Sequence, residues 1–257
     1  MYMIGIFDSG AGGLTVASAI RAQSPMADLI YFGDLANAPY GSKSKEELLF
    51  LAETAIQFLR SQGATEFVAA CNSISVMQSD LQNLLHTRIV EMVEPAARSL
   101  RLQKKKKILV IATEATVRSG MYEHIFYQHG LSVEMMACPE LATAIEEGKE
   151  IAILNRIIAP VVDTAIRMEI EVLVFGCTHY PLIRQVFADA FLLNHYPIEL
   201  FDPSVAVSEE VASRFDVQGS GLQTFFVSKP STVFDSQVKL LFGSSSITKH
   251  IGADRLT

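Results

Sequence analysis

Phe67-Val68-Ala69-Ala70-Cys71-Asn72-Ser73-Ile74 is an apolar, strand-forming run that ends in a cysteine and two small hydrogen-bonding residues, with a helical pattern following at once. The stretch sets a thiol at the carboxyl end of a buried strand. The same event recurs in the second half of the chain as Val172-Leu173-Val174-Phe175-Gly176-Cys177-Thr178-His179. Two thiols presented alike suggest a site with two equivalent faces, and the alternation of strand and helix around them decides the fold.

Working outward, residues 3–7 read as a short buried strand, and Asp8-Ser9-Gly10-Ala11-Gly12-Gly13 as a turn that opens a helix near Leu14. Its glycines either let backbone amides approach an anionic ligand or simply make a tight turn with Ser9 as the helix cap. Residues 29–32 form a second strand, followed by a loop around Pro39-Tyr40-Gly41. Leu48, Leu51, Ala52, Ala55 and Leu59 then give one apolar face to a helix over 45–60. Past Cys71 come a helix over 76–85 and a short strand at 89–90. The lysines at 104–107 read as a solvated connector.

The pattern then restarts: strand 108–112, Thr113-Glu114-Ala115-Thr116, a helix from about Val117, and a strand over 131–136. Cys138 reads as a small buried residue, Glu146 and Glu147 as solvated positions before Gly148, and 151–168 as a helix interrupted by Pro160, leading to the Cys177 strand. Asp8 and Thr113 close the first strand of each half at nearly the separation of the two cysteines, as an internal duplication would place them. A helix, a strand over 223–227 and a last helix finish the chain. The fold class is α/β, with two pseudosymmetric α/β domains, mostly parallel sheets and an active site in the cleft between them. Residues 1–97 with 206–257 form the Cys71 domain, and 98–205 the Cys177 domain.

Composition excludes several classes. The 257 residues are 49% hydrophobic, ample for cores, and a formal charge of −7 argues against nucleic acid as a partner. Three cysteines make no disulfide framework and point to a reducing compartment. Neither a signal peptide nor an apolar span of about 20 residues is evident, so no membrane partner and a cytoplasmic location are expected.

The chemistry of two cysteines narrows further. No C-x-x-C pair exists, and His179 stands two residues from Cys177, a spacing that matches no common zinc site, so no metal is expected. A Cys–His nucleophile pair leaves Cys71 without a task, and a redox disulfide usually occupies one local motif. Proton transfer uses both thiols: one removes a proton from one face of a carbon while the other delivers a proton to the opposite face. A free thiol has a pKa of about 8.5, and each cysteine sits at a predicted helix start that would favour its thiolate.

Four motifs, in order between residue 4 and about Asp202, closely resemble those of the glutamate racemases, in the aspartate/glutamate racemase family. They are Phe7-Asp8-Ser9-Gly10-Ala11-Gly12-Gly13-Leu14, Pro39-Tyr40-Gly41, Ala70-Cys71-Asn72-Ser73 and Gly176-Cys177-Thr178-His179-Tyr180-Pro181-Leu182. The resemblance implies interconversion of L- and D-glutamate without cofactor, pyridoxal phosphate included, to supply D-glutamate for peptidoglycan, commonly in a homodimer. It implies Cys71 and Cys177 as the proton-transfer residues, acting by family convention on D- and L-glutamate respectively. Asp8 would assist Cys71, and Glu146 and His179 would assist Cys177. Asp8, Ser9, Tyr40, Gly41, Asn72, Ser73, Thr113, Thr116, Thr178 and His179 would bind substrate. The chain departs from the family pattern at Ser73, Ile74 and Val76, where Thr, Ala and Ala are usual, and at Ala112, where Gly is common. An aspartate racemase, a related two-thiol racemase or decarboxylase, and a non-catalytic amino-acid-binding regulatory protein are the alternatives.

Overall fold

The structure, a computed structural model, describes residues 2–75, 77–102 and 106–251. In the first half β1 (Met3–Asp8), α1 (Leu14–Gln23), β2 (Asp28–Gly33), α2 (Lys45–Ser61), β3 (Glu66–Ala69), α3 (Asn72–Ser75), α4 (Gln78–Leu85), β4 (Ile89–Val90) and α5 (Val93–Arg101) follow one another. The second half contains β5 (Ile108–Ala112), α6 (Glu114–Arg118), α7 (Met121–Gln128), β6 (Val133–Ala137), α8 (Leu141–Glu146), α9 (Ile151–Arg167), β7 (Val172–Gly176), α10 (Arg184–Leu193) and β8 (Glu199–Phe201). The chain ends with α11 (Pro203–Arg214), β9 (Gln223–Val227), α12 (Thr232–Phe242) and β10 (Thr248–His250).

All strand pairs are parallel. One sheet runs β10-β9-β2-β1-β3-β4 and the other β6-β5-β7-β8. Numbered within each half, both carry the order 2-1-3-4, and β9 and β10 extend only the first sheet. The duplication suggested by the cysteines therefore exists as topology. Register aligns the carboxyl ends: Asp8 pairs with Gly33, Phe7 with Ala69, and Ala112 with both Ala137 and Gly176. Cys71, Thr113, Cys138 and Cys177 therefore all fall just past strand ends, where ligands bind in open parallel sheets.

A shared core joins the halves, since Ile4, Leu14, Val93, Val110, Val174 and Val207 belong to one buried cluster. Two further cores cover the outer faces, one beneath α2 and one beneath α9 and α10. The apolar face read on α2 packs as expected, and Ser44 and Glu47 close a capping box at its start, an arrangement worth about 1 kcal/mol. Pro160 stays inside α9 and does not end it.

Several local expectations are corrected. Ser9 does not cap α1, whose first residue follows Gly13 with no side-chain cap. The helix expected over 76–85 begins at Gln78, and a separate turn, α3, starts directly at Asn72; Val76 lies outside the described residues. The helix expected from Val117 starts at Glu114, because the Thr113 hydroxyl accepts the Thr116 amide and nucleates it earlier. Lys104 and Lys105 lie outside the described residues, while Lys106 and Lys107 bond Glu199 and Glu169 at 2.6 Å each. Ile74, larger than the family residue, is fully buried in the outer core of the first sheet.

Candidate active site

A cavity of about 580 Å³ opens at the strand ends of both sheets, and both Cys71 and Cys177 line it. Ser9, Tyr40, Gly41, Asn72 and Ser73 reach it from the first half, and Thr113, Glu146, Thr178 and His179 from the second. Asp8 and Thr116 do not line it. Thr116 is buried behind Thr113, its hydroxyl 3.0 Å from that of Thr113. Asp8 is buried beneath the β1–α1 turn, where one carboxylate oxygen accepts the amides of Gly10 (3.2 Å) and Gly13 (2.9 Å). Its other oxygen faces the Thr178 hydroxyl at 3.4 Å.

The Cys177 side is a relay. His179 Nε2 lies 2.5 Å from Glu146 Oε2, and its Nδ1 lies 3.7 Å from Cys177 Sγ. Burial alone would lower the His179 pKa, but the bonds to Cys177 and Glu146 carry it well above its ordinary value. Burial likewise opposes the Glu146 charge, yet the imidazole bond and charge pull that carboxyl below its usual range. The pair is thus imidazolium and carboxylate, and a doubly protonated ring donates from both nitrogens. Cys177 Sγ accepts from Nδ1. Glu146 is the half-buried partner of His179, not a solvated residue, whereas Glu147 at the same helix end bonds the exposed Lys149.

The Cys71 side differs. Burial pushes the Cys71 thiol well above its ordinary range, and the charges of Asp8 and Cys177 push it further. The Ser73 and Ile74 amides at the start of α3 offset only part of this, so the thiolate expected from a helix start is not what this side holds. Cys71 is therefore held as a thiol. The two thiols accordingly have different surroundings, a buried imidazolium beside Cys177 and the buried Asp8 carboxylate acting on Cys71.

The glycines of the first turn serve this arrangement. A Cβ on Gly10 would stand 2.6 Å from Glu146 Oε2, and one on Gly12 2.6 Å from His179 Nδ1. The Ala11 amide donates to Glu146 Oε2 at 3.1 Å. The turn of one half therefore presses directly on the relay of the other. Across the cavity Gly41 lies against Thr113, with 2.9 Å between its ideal Cβ and that of Thr113, and the Ser73 and Thr113 hydroxyls are 3.5 Å apart.

Asn72 is held by the Tyr122 hydroxyl, which donates to its Oδ1 at 2.6 Å, leaving the buried Nδ2 without a protein partner. Glu146 Oε1 is likewise buried and unpaired. A donor and an acceptor so placed match a ligand's carboxylate and ammonium. Among the described residues no three His, Cys, Asp or Glu side chains converge as metal ligands. Cys138 is buried, its thiol pushed by burial up to about 12, and it does not line this cavity.

Sequence reasoning missed one wall. Lys229, Pro230 and Ser231 from the β9–α12 connection, with Thr232 and Asp235 from the first turn of α12, line the cavity. The signal was present: an apolar strand ending in Ser228-Lys229-Pro230-Ser231 before a helix repeats the event seen at Cys71. Asp34 was also passed over, although it accepts the Tyr40 hydroxyl at 2.8 Å and the Ser228 hydroxyl at 2.8 Å.

Residues 14–211 match the model of the Asp/Glu/Hydantoin racemase family. A glutamate racemase from Aquifex aeolicus is 34% identical over 245 residues, covering 93% of this chain and 94% of the relative. Among solved structures, the glutamate racemase of Francisella tularensis in complex with D-glutamate superposes with a TM-score of 0.84 at 26% identity, covering 99% and 98% of the two chains. That of Aquifex pyrophilus gives 0.81 at 33% identity, over 96% and 98%.

Proposed function

We propose, since the chain belongs to the Asp/Glu/Hydantoin racemase family and is therefore an isomerase, that it interconverts L- and D-glutamate by two-base proton transfer between Cys177 and Cys71. The observation that carries the reading is a pair of thiols set at equivalent strand ends of two topologically equivalent sheets and lining one cavity. With L-glutamate bound, the Cys177 thiolate takes the α-proton while the Cys71 thiol gives its proton to the opposite face of the carbanion. The product is D-glutamate, with Cys177 now thiol and Cys71 thiolate, and the reverse reaction starts from that state. His179, held protonated by Glu146, stabilises the thiolate on one side. Asp8 acts on Cys71 through its charge. No step calls for a cofactor or metal.

Asn72 Nδ2 donates to a substrate carboxylate, with the hydroxyls of Ser9, Ser73, Thr113 and Thr178 and the backbone of the Tyr40–Gly41 segment completing the cradle. Thr116 acts through Thr113. Residues 1–97 with 206–257 and residues 98–205 form the two domains that wall the cleft. The role that fits this activity is supply of D-glutamate for peptidoglycan in the cytoplasm, by a homodimer; among the described residues no helix is long and apolar enough to cross a membrane. Chiral chromatography of L-glutamate incubated with Cys71→Ala and Cys177→Ala tests the mechanism. Each variant should lose racemisation, and wild-type rates in both would remove the thiols from the reaction.

A further inference from the structure

Glutamate carries two carboxylates and one ammonium, so it approaches the cavity as an anion. The wall it meets presents Glu146, Glu147 and Asp235, on a chain of net charge −7. The His179 charge is already engaged by Glu146 and Cys177. Lys229 is the single lysine or arginine among the described residues lining the cavity, and it has no ion-pair partner among them.

Its place is fixed from both sides. Just before it, the Ser228 hydroxyl donates to Asp34 at 2.8 Å and accepts the Ala36 amide at 2.9 Å, and the Ser228 amide donates to the Gly33 carbonyl at 3.1 Å. The Asp34 carboxylate also holds the Tyr40 hydroxyl, so one buried group anchors both the Tyr40–Gly41 wall and the base of Lys229. Just after it, Ser231 caps α12 by accepting the Phe234 amide. Val233 lies within van der Waals reach of Gly148 in the other half, 3.4 Å from its ideal Cβ. The backbone is pinned while the Lys229 side chain stands exposed at the cavity mouth.

We infer that Lys229 is a substrate-binding residue: it draws the anionic amino acid into an otherwise acidic cavity and holds one of its carboxylates at the mouth. The assignment rests on the racemase reading above and specifies how that site recognises charge. An ammonium on an exposed stem is a hydrated point charge, so its effect is modest and screened by salt.

The test compares kcat and KM on L-glutamate for wild type, Lys229→Arg, Lys229→Gln and Lys229→Glu at low and at physiological ionic strength. At low salt Lys229→Gln should raise KM by roughly three- to tenfold with kcat within about twofold of wild type. Lys229→Glu should raise KM further, Lys229→Arg should stay near wild type, and the gap between wild type and Lys229→Gln should narrow as salt is added. Equal KM values for wild type, Lys229→Gln and Lys229→Glu at low salt would overturn the assignment. A wild-type protein inactive on L-glutamate is a different result: it would overturn the racemase reading and, with it, this role.

Discussion

Gly12→Ala probes the contact between the halves most sharply. An ideal Cβ at this position stands 2.6 Å from both His179 Nδ1 and Thr178 Oγ1 and 2.7 Å from the His179 backbone nitrogen, whereas ordinary contact begins at 3.4 Å. Relief requires a shift of about 0.8 Å (3.4 − 2.6) between the turn and the Cys177 loop, and a backbone nitrogen has no flexible end to yield. Nδ1 is the atom that faces Cys177 Sγ at 3.7 Å, so the shift falls on the partner of Cys177. Misplacing a reacting group by ~1 Å costs on the order of 10²-fold in rate, and overpacking costs about 1–3 kcal/mol of stability. The expected variant is folded, melts several degrees lower, and has kcat reduced by roughly 10- to 100-fold. Racemisation is followed from each enantiomer by chiral chromatography, with thermal melts alongside. Enantiomers have equal free energy, so kcat/KM must fall equally in both directions. A folded Gly12→Ala with wild-type kcat would refute the claim that this turn positions the relay.

Three further outcomes follow from the buried charges. Glu146→Gln removes the anion that holds His179 protonated. The His179 contribution to stability is complete below its unfolded pKa of 6.5 and is lost as pH rises through the raised folded value. That of Glu146 is present above 4.5 and lost as pH falls through its lowered folded value. The melting deficit of Glu146→Gln should therefore be largest between these two unfolded values and shrink toward strong acid and strong base. Burial raises Glu91 to about 7 despite the Val93 and Glu94 amides it accepts. The native state then binds more protons than the unfolded one from 4.5 up to about 7, so this group lowers stability as pH rises through that window, by at most on the order of 3 kcal/mol. The melting temperature of Glu91→Gln relative to wild type should accordingly increase from pH 5 to pH 8, and a constant difference would contradict the assignment. Tyr40→Phe leaves Asp34 one buried donor short and should cost about 1–3 kcal/mol in urea unfolding.

Much of this is legible because strand ends are. An apolar run that stops at a small polar residue and turns into a helix marks Cys71, Thr113 and Cys177, and their matching placement points to an internal duplication; the strand order 2-1-3-4 within each half is visible only in the structure. What escaped depends on partners distant in sequence. Nothing local distinguishes Glu146 from Glu147; one faces His179 and the other Lys149. The glycines of the first turn read as a possible anion cradle, and only the approach of the Glu146–His179 pair explains why a Cβ is excluded at Gly10 and Gly12. Cys71 sat at a helix start, which favours thiolate, but α3 is a single turn and burial outweighs it. The edge strand β10 is three residues long with little burial, so it left no alternating pattern to read.

The central claim, proton transfer between two thiols on one carbon, is tested most directly by incubating wild type, Cys71→Ser and Cys177→Ser with L-glutamate in deuterated water and following the α-proton by NMR. The account predicts that wild type loses the signal as α-deuterated D-glutamate accumulates, and that neither variant forms D-glutamate at more than a trace of that rate. An undisturbed α-proton with wild-type protein, or racemisation at full rate by both serine variants, would contradict it.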